Sequence, residues 1–356
     1  MKKKSPIIIG RNTVNLKYKT IRKQFLPTVA VAAFFMFSIG ESFAQTKTLR
    51  VANWLPPMHI LVKSLNVWGE ELSKASGGSL KVEIMKAPLA KPPGQYDLVK
   101  NNVTDMAYSV AAWSPKRFHL LRAIDMPFLF SSAEVGSASL WDWYSKNNFA
   151  DKEFNDSKLV GAVVNPPHLY HSNKKLTVLD DLKGQKIRAG GYGIGILKKL
   201  GAAPLFLNPP STTQALQKGT IDGTQFPWEA LKGFRLIKFS KNHLVIPNGL
   251  YTNAWWLSMS KKSWQSLTSS QKKALESVGL SGSRLIGEGW DKSEANAKKA
   301  VIKAGNTITV LNNADTEKLK KIVSFVEEGW VAKTNKMGLN GKALLKDLRG
   351  TISKYK

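Results

Sequence analysis

The chain has 356 residues, which is enough for a large core and for two lobes rather than one. It contains no cysteine, which excludes disulfides and a lipid-modified N-terminal cysteine. The formal net charge is +28, but the lysines are scattered over predicted helix faces, without an arginine-rich arm or a zinc-finger motif. We therefore interpret the charge as solvated surface and expect no nucleic-acid partner.

The first 44 residues have the layout of a secretory signal peptide. Eight Lys or Arg precede an apolar run at 27–40, and Ser42 and Ala44 stand three residues and one residue before a cleavage point ahead of Gln45. A membrane anchor is the alternative, but the run is short for a span that needs about 20 apolar residues. Cleavage would remove eight cations and Glu41 and leave a net charge of +21. The mature protein is thus predicted to be periplasmic, without membrane insertion.

Strands and helices are predicted to alternate from residue 48 onward. Runs at 48–54 and 79–85 are typical of strands, and they flank an amphipathic helix at 59–78 that ends in two glycines. The segment 94–110 predicts a helix, a turn and a third strand. This β-α-β-α-β order predicts a mostly parallel sheet covered by helices.

The same pattern restarts near residue 158, so we expect an α/β fold of two similar lobes. We place lobe I at 45–166 with a return segment at about 253–300, and lobe II at 167–252 with a C-terminal part at about 301–356. The predicted strands of the second half are 158–165, 169–176 leading into a turn, the end of 181–190, 203–207, 220–226, a strand within 246–260 that returns between the lobes, and 307–311. The predicted helices are one beginning near Gly195, 211–219, 267–279 with a capping box of Thr268 and Gln271, 293–305 and 315–330.

The sequence contains few motifs that are typical of enzymes or cofactor sites. There is no H-E-x-x-H, no G-x-S-x-G and no Walker lysine loop. Among the five histidines, only His168 and His171 have a metal-like spacing, and no nearby carboxylate or cysteine completes a site. Asp180 and Asp181 fit a helix start or a turn better than a catalytic pair. The turn GGYGIG at 190–195 lacks the dinucleotide spacing and its downstream acid. We therefore expect no catalytic residue, no metal and no cofactor.

Arg188 ends a short predicted strand beside this glycine-rich turn, which opens a helix. Free backbone N–H groups at a helix N-terminus favour an anion, whereas a structural cation is better placed near a helix C-terminus. A guanidinium offers two parallel N–H donors that match a carboxylate. We therefore predict that Arg188 projects into a cleft and binds a ligand carboxylate.

Three of the 11 tryptophans stand where strands are predicted to end, at Trp54, Trp113 and Trp228. Strand ends at a junction between lobes are where open α/β sheets bind ligands. Core packing is the alternative for any one tryptophan. Because three tryptophans stand at equivalent strand ends, we favour the interpretation that they line the cleft.

Three stretches together resemble the substrate-binding proteins of TRAP (tripartite ATP-independent periplasmic) transporters, the DctP-like family. They are LKGQKIRAGG at 182–191, GAAPLFLNPPSTTQALQKGTIDGTQFPWEAL at 201–231 and GLYTNAWWLSMSKKSWQSLTSSQKKAL at 249–275. The resemblance covers essentially residues 48–330. It implies two α/β lobes with hinge strands and a long bracing helix, closing around one small organic acid.

The resemblance also implies ligand-binding residues. The family's carboxylate-binding arginine falls on Arg188, and its polar contact on the returning strand falls on or beside Asn253. A second cation is frequent where this chain has PPHLYHSN; here His168 stands instead, which argues against a sialic-acid-like specificity. The FPW segment at 226–228 would form an apolar wall. The candidate ligand-binding residues are Arg188, Asn253, Trp228, Phe226, His168, Tyr170, Trp113, Trp54 and Asn53.

Two classes of function remain open at this point. The first is a periplasmic protein, monomeric and without catalysis, that captures a small carboxylate and delivers it to the membrane permease of a TRAP transporter driven by an ion gradient. The second comprises a binding protein of an ATP-driven importer, a ligand sensor that needs a receptor, or a secreted enzyme. An enzyme would require an acid/base constellation in the cleft, which the sequence does not reveal.

Overall fold

The computed structural model describes residues 46–356, and the predicted signal peptide at 1–44 lies outside the described residues. The described chain alternates strands with helices, and its strands form two sheets. No helix in this range has the length and apolar character needed to cross a bilayer. The strands are β1 Lys47–Ala52, β2 Leu80–Ile84, β3 Met106–Val110, β4 Ser157–Val164, β5 Leu169–Ser172, β6 Lys186–Ala189, β7 Ala203–Phe206, β8 Gly223–Phe226, β9 Asn242–Val245, β10 Ala254–Ser260 and β11 Thr307–Val310.

Helices cover both sheets and make up the C-terminal part of the chain. Several were not predicted from the sequence, notably α3 and α12, and neither was β9. The helices are α1 Ile60–Ala75, α2 Gln95–Lys100, α3 Ala133–Lys146, α4 Ala150–Glu153, α5 Gly193–Lys199, α6 Thr212–Gln217, α7 Trp228–Gly233, α8 Lys261–Gln265, α9 Ser269–Ser277, α10 Gly279–Lys303, α11 Asn313–Lys336 and α12 Gly341–Tyr355.

The two sheets define two lobes, so the predicted two-lobed α/β class is confirmed. Lobe I is built on a five-stranded sheet with the order β2-β1-β3-β10-β4, and lobe II on a six-stranded sheet with the order β11-β9-β5-β8-β6-β7. Both sheets are mixed: within residues 46–356, five strand pairings are parallel and four are antiparallel. Every antiparallel pairing involves β5 or β10, the strands that begin a lobe after the chain has crossed from the other one.

The two crossing segments, 165–168 and 246–253, run beside each other between the lobes. The backbone N–H of His168 donates to the carbonyl of Tyr251 at 2.8 Å. The Thr252 hydroxyl donates to the carbonyl of Asn165. The lobes are therefore connected by two segments that are hydrogen-bonded to each other rather than by one flexible linker.

Helix α10 is the brace between the lobes, and it is longer than the helix predicted at 293–305. Glycines in its first half weaken the helical signal, because glycine costs about 1 kcal/mol relative to alanine in a helix. They permit close packing instead: a Cβ on Gly287 would lie 2.6 Å from the carbonyl oxygen of Ala133 and 2.6 Å from the Cα of Glu134. Helix α10 consequently packs closely on α3 and α1 of lobe I, and it also packs on α7 of lobe II.

Two carboxylates one turn apart on α10 cap one helix in each lobe. Asp291 accepts hydrogen bonds from the backbone N–H of Ala133 at 2.7 Å and of Glu134 at 3.0 Å, at the start of α3. Glu294 accepts from the backbone N–H of Trp228 at 3.0 Å and of Glu229 at 2.8 Å, at the start of α7. Carboxylates in these positions satisfy N–H groups that have no partner within their helix.

The C-terminal helices connect back to lobe I. Strand β11 pairs with β9 in lobe II, and α11 then reaches lobe I, where Trp330 Nε1 donates to the carbonyl of His119 at 2.9 Å. Helix α12 packs on α3, and Lys146 Nζ lies 2.8 Å from Asp347 Oδ1. Helix α12 therefore departs from the predicted assignment of 301–356 to lobe II.

We expect Gly287→Ala to lower the free energy of unfolding by about 1–3 kcal/mol, because the new methyl group meets backbone atoms of α3 that cannot move aside. Gly329→Ala in α11 is the matched control, since a Cβ added at Gly329 would have no atom within 4 Å. It should be neutral or stabilising by up to about 1 kcal/mol. Urea denaturation of both variants measures the difference. Equal effects would show that close packing of α10 on α3 is not the reason for this glycine.

Candidate functional site

A cavity lies between the two lobes, and the space free of protein atoms in it and in the open solvent at its mouth is about 510 Å³. Lobe I contributes residues that follow β1 and β3, such as Trp54 and Trp113, and lobe II contributes Arg188 on β6 and Phe226 on β8. The crossing segments add polar side chains between them. Strand ends of both sheets thus meet at one cleft, as in other open α/β sheets that bind ligands.

Arg188 is the buried cation of this cavity, with only 3% of its surface exposed. Its Nε donates to the carbonyl of Leu207 at 3.0 Å, and its guanidinium carbon lies 4.0 Å from the centroid of the Phe226 ring. No Asp or Glu among residues 46–356 forms an ion pair with Arg188. Burial lowers the pKa of Arg188 to about 10, so the side chain is charged at neutral pH. An anion bound beside it would compensate for that desolvated charge.

Asn253 and His168 line the cavity together with Arg188, one on each crossing segment. Asn253 Nδ2 donates to His168 Nε2 at 3.0 Å, which assigns the imidazole proton to Nδ1. Burial and the charge of Arg188 lower the pKa of His168 to about 3, so the ring is neutral. Within the described part of the chain, His168 Nδ1 has no hydrogen-bond partner. The ring therefore provides a second donor without a protein acceptor.

The lobe I wall of the cavity is a cluster of three tryptophans. The rings of Trp54 and Trp255 are stacked, with centroids 5.7 Å apart, and Trp113 meets Trp54 edge-on at 5.2 Å. The indole N–H groups of Trp54 and Trp255 donate away from the ring faces, to the Tyr108 carbonyl at 3.2 Å and to Asn165 Oδ1 at 2.9 Å. Because these N–H groups are satisfied, the wall is a large apolar aromatic surface.

The lobe II wall is also aromatic, and the glycine-rich turn lies beside it. The rings of Phe226 and Phe234 stack at 5.8 Å. In the turn, Gly191 has a φ of +55°, and a Cβ there would lie 3.3 Å from Ala112 of lobe I. The glycines thus allow lobe II to approach lobe I closely. The positive φ and the contact with Ala112 account for glycine at position 191.

A second polar pair that lines the cavity, His59 and Glu229, comes from opposite lobes. His59 is the N-cap residue of α1, and its side chain and that of Glu229 on α7 are 3% and 6% exposed. His59 Nε2 and Glu229 Oε2 are 3.7 Å apart, which is beyond hydrogen-bonding distance. The backbone N–H of Leu61 donates to His59 Nδ1 at 3.2 Å, so the neutral ring carries its proton on Nε2.

Burial shifts the pKa of both members of this pair toward the uncharged form, and it raises the pKa of the neighbouring Glu294 to about 8 as well. Burial lowers the pKa of His59 to about 3. Burial and the neighbouring Glu294 raise the pKa of Glu229 to about 8. The indole N–H of Trp290 also faces this carboxyl, but Trp290 Nε1 has no hydrogen-bond partner among the described residues. The pair therefore presents hydrogen-bonding groups rather than a net charge.

Six of the predicted site residues line the cavity, and three do not. Trp228 packs against His171 and His243 on the far side of β8, because the chain turns into α7 at Pro227 and Trp228 no longer shares the direction of Phe226. The six that line the cavity are Trp54, Trp113, His168, Arg188, Phe226 and Asn253.

Tyr170 and Asn53 also lie elsewhere. Tyr170 is fully buried in β5, opposite Gln225 of β8. The side chain of Asn53 holds a turn: Oδ1 accepts from the Leu55 backbone N–H at 2.9 Å, and Nδ2 donates to the Leu55 carbonyl at 3.0 Å. Tyr170 is thus enclosed in the core of lobe II, and the Asn53 amide is used by a turn of lobe I.

Sequence reasoning missed Trp255, His59, Glu229 and Phe234. Trp255 had a usable signal, because it stands two positions after Asn253 and residues two apart share a face of an extended strand. Trp256, on the opposite face, packs on Tyr96 and Phe118 instead. His59 and Glu229 carry no local signal, since they meet only when the lobes come together.

The other buried acids of the described chain have structural partners. Asp125 Oδ2 lies 3.1 Å from Arg122 Nε, and Glu153 accepts a hydrogen bond from the backbone N–H of Leu121 at 2.9 Å. Across residues 46–356, no group of three or more His, Cys, Asp or Glu side chains could hold a metal ion. The cleft places the hydrogen-bond donors of Arg188 and His168 beside aromatic rings.

The family model named DctP, for bacterial extracellular solute-binding proteins of family 7, matches residues 51–332. The chain belongs to this family. The resemblance drawn from the sequence motifs is thereby confirmed. Residues 51–332 include every part of the chain that lines the cavity.

Solved structures of other members have the same fold as this DctP-family protein. A TRAP solute-binding protein from Bordetella bronchiseptica with bound (R)- and (S)-mandelate is 27% identical, with a TM-score of 0.83, and the match covers 87% of this chain and 100% of that one. One from Rhodoferax ferrireducens with copurified benzoate is 29% identical (TM-score 0.80; 87% and 98% covered). One from an unidentified marine microbe, specific for aromatic acid ligands and bound to 3-hydroxybenzoate, is 32% identical (TM-score 0.81; 88% and 99% covered).

We expect Arg188→Met to raise the free energy of unfolding of the ligand-free protein by on the order of 1–3 kcal/mol, because it replaces an unpaired buried charge by an apolar side chain. The protein is refolded from denaturant before the measurement to remove any copurified acid. Arg117→Met is the matched control and should destabilise, since Arg117 is paired with Asp156 at 3.0 Å. A loss of stability in Arg188→Met as large as in Arg117→Met would mean that Arg188 serves the fold.

Proposed function

We propose that this protein captures a small aromatic monocarboxylate in the cleft between its lobes and delivers it to a TRAP-type permease driven by an ion gradient. The observation that carries the proposal is the buried guanidinium of Arg188, which has no acidic partner among residues 46–356. Binding without chemical conversion is the proposed activity.

The carboxylate would be bound by the terminal N–H groups of the Arg188 guanidinium and by His168 Nδ1, which has no acceptor within residues 46–356. The guanidinium of Arg188 can give two parallel N–H bonds, and His168 Nδ1 can give a third, with Asn253 holding the imidazole in the required tautomer. Charge-assisted hydrogen bonds of this kind are about twice as strong as neutral ones. One cation supports one carboxylate, which favours a monoacid over a dicarboxylate.

The remainder of the ligand would be an aromatic ring. The tryptophan cluster of lobe I and the rings of Phe226 and Phe234 in lobe II form two apolar walls. Flat aromatic walls suit a planar ring, through stacking and edge contacts. The mandelate, benzoate and 3-hydroxybenzoate bound to the similar proteins support this choice of ligand class.

Closure of the lobes would couple binding to delivery. The cavity lies between two lobes that share hydrogen-bonded crossing segments and one bracing helix, an arrangement suited to hinge closure around a ligand. The closed form would then dock on the permease in the periplasm, as the family membership implies.

The proposal predicts that benzoate or mandelate binds the refolded protein and that Arg188→Ala weakens this binding by two to three orders of magnitude. A buried carboxylate deprived of its cation costs roughly 3–5 kcal/mol. Arg188→Lys should be poor as well, because a point charge cannot replace a two-pronged donor. Isothermal titration calorimetry measures the affinities.

Arg284→Ala is the control for loss of a cation, since Arg284 pairs with Glu134 on an exposed surface. It should bind like wild type. If Arg188→Ala is folded and binds within about tenfold of wild type, Arg188 is not the carboxylate partner. If no aromatic monocarboxylate shifts the melting temperature of the wild-type protein, the proposed ligand class is wrong.

We also expect the exported protein to begin at or near Gln45, because basic residues, an apolar run and small residues follow one another up to Ala44. N-terminal sequencing of protein recovered from the periplasm of an expressing Gram-negative host checks this. Recovery of Met1 at the N-terminus would refute both the cleavage site and free diffusion in the periplasm.

A further inference from the structure

The pair His59 and Glu229 has no role in the carboxylate site, yet both side chains line the same cavity as Arg188. They come from opposite lobes, and each is more than nine-tenths buried. Buried polar groups ordinarily form hydrogen bonds with a neighbour. Here the two facing atoms, His59 Nε2 and Glu229 Oε2, are 3.7 Å apart and do not bond to each other.

The chemistry of the pair is complementary to a hydroxyl group. Because His59 Nδ1 accepts the Leu61 N–H, the neutral ring has its donor at Nε2, which is the atom that faces Glu229 Oε2. Glu229 lines the cavity with carboxyl oxygens that accept a hydrogen bond, and burial together with Glu294 raises its pKa to about 8, which favours the uncharged form. A hydroxyl both accepts and donates one hydrogen bond, so it can satisfy one group on each lobe at once.

We propose that His59 and Glu229 form a specificity subsite that recognises a hydroxyl group on the ring of the aromatic monocarboxylate, at a meta or para position remote from Arg188. The inference rests on the proposed function, since the carboxylate must be held by Arg188 for the ring to reach the pair. Contact with both residues would link lobe I to lobe II through the ligand itself. The ring hydroxyl would therefore favour the closed form as well as supply specificity.

The subsite also discriminates against a second carboxylate. Neither residue is cationic at neutral pH, and no lysine or arginine other than Arg188 lines this cavity within the described residues. A second anionic group would be desolvated there without a counter-charge. The subsite thus selects a hydroxylated monoacid over both the unsubstituted acid and the diacid.

The test compares benzoate, 3-hydroxybenzoate, 4-hydroxybenzoate and benzene-1,3-dicarboxylate by calorimetry on the refolded wild-type protein. We expect one of the hydroxybenzoates to bind at least fivefold tighter than benzoate, since a site built for a hydroxyl leaves its polar groups unpaired with the plain ring. The dicarboxylate should bind at least tenfold more weakly than that hydroxybenzoate.

Three variants test whether His59 and Glu229 cause the preference for a hydroxylated ring. Glu229→Met removes the acceptor, and His59→Asn removes the ring N–H while retaining a side chain that caps α1. In both, the ratio of the benzoate and hydroxybenzoate dissociation constants should fall below twofold. Val110→Ala alters the wall of the cavity without touching a polar group and should keep the wild-type ratio.

Benzoate binding with a ratio below fivefold for both isomers overturns the subsite and leaves the proposed function standing. A ratio that persists in both Glu229→Met and His59→Asn overturns it too, as does a dicarboxylate that binds as tightly as the hydroxybenzoate. Failure of all four acids to bind overturns the proposed function and the subsite together.

Discussion

A guanidinium buried without an acidic partner among residues 46–356 is the constraint around which the cleft is organised. Arg188 meets the Leu207 carbonyl and the face of the Phe226 ring, and neither neutralises its charge. Burial of an unpaired charge costs several kcal/mol, so the folded protein carries a local penalty at this point. Residues that weaken the unliganded fold in this way are expected where function demands them. The neighbouring polar groups, His168 and Asn253, are neutral and do not compensate for the charge either.

Helix α10 is what allows such a site to lie between two lobes with a defined geometry. Its carboxylates Asp291 and Glu294 cap α3 in lobe I and α7 in lobe II, so one rigid element contacts both lobes. Trp290, which precedes them in the sequence, packs on Trp255 of the lobe I wall at 5.6 Å. The same helix thus supports the aromatic wall and positions α7, which carries Glu229. The helix that braces the two lobes therefore also determines the shape of the cleft.

The sequence was sufficient for elements with a strong local signal. The alternation of strands and helices predicted two α/β lobes, and the capping box at Thr268 and Gln271 is present in the structure. The sequence was not sufficient to predict elements whose local helix or strand preference disagrees with their tertiary packing. The first half of α10 contains glycines that lower its helical signal, and only their contact with α3 explains why they are there. The direction of β5 and β10 likewise depends on how the chain crosses between lobes, which periodicity does not encode.

The sequence by itself determined the family, the two α/β lobes and the position of an arginine at a strand end beside aromatic residues. Only the tertiary structure decided that no acid of the described chain pairs with Arg188, that Trp255 rather than Trp228 lines the cavity, and that His59 and Glu229 face each other across it. The physical reason is the same in each case. Periodicity and capping report on neighbours within a few residues along the chain. Desolvation, pairing and the direction of a side chain at a strand end depend on groups brought together from different lobes.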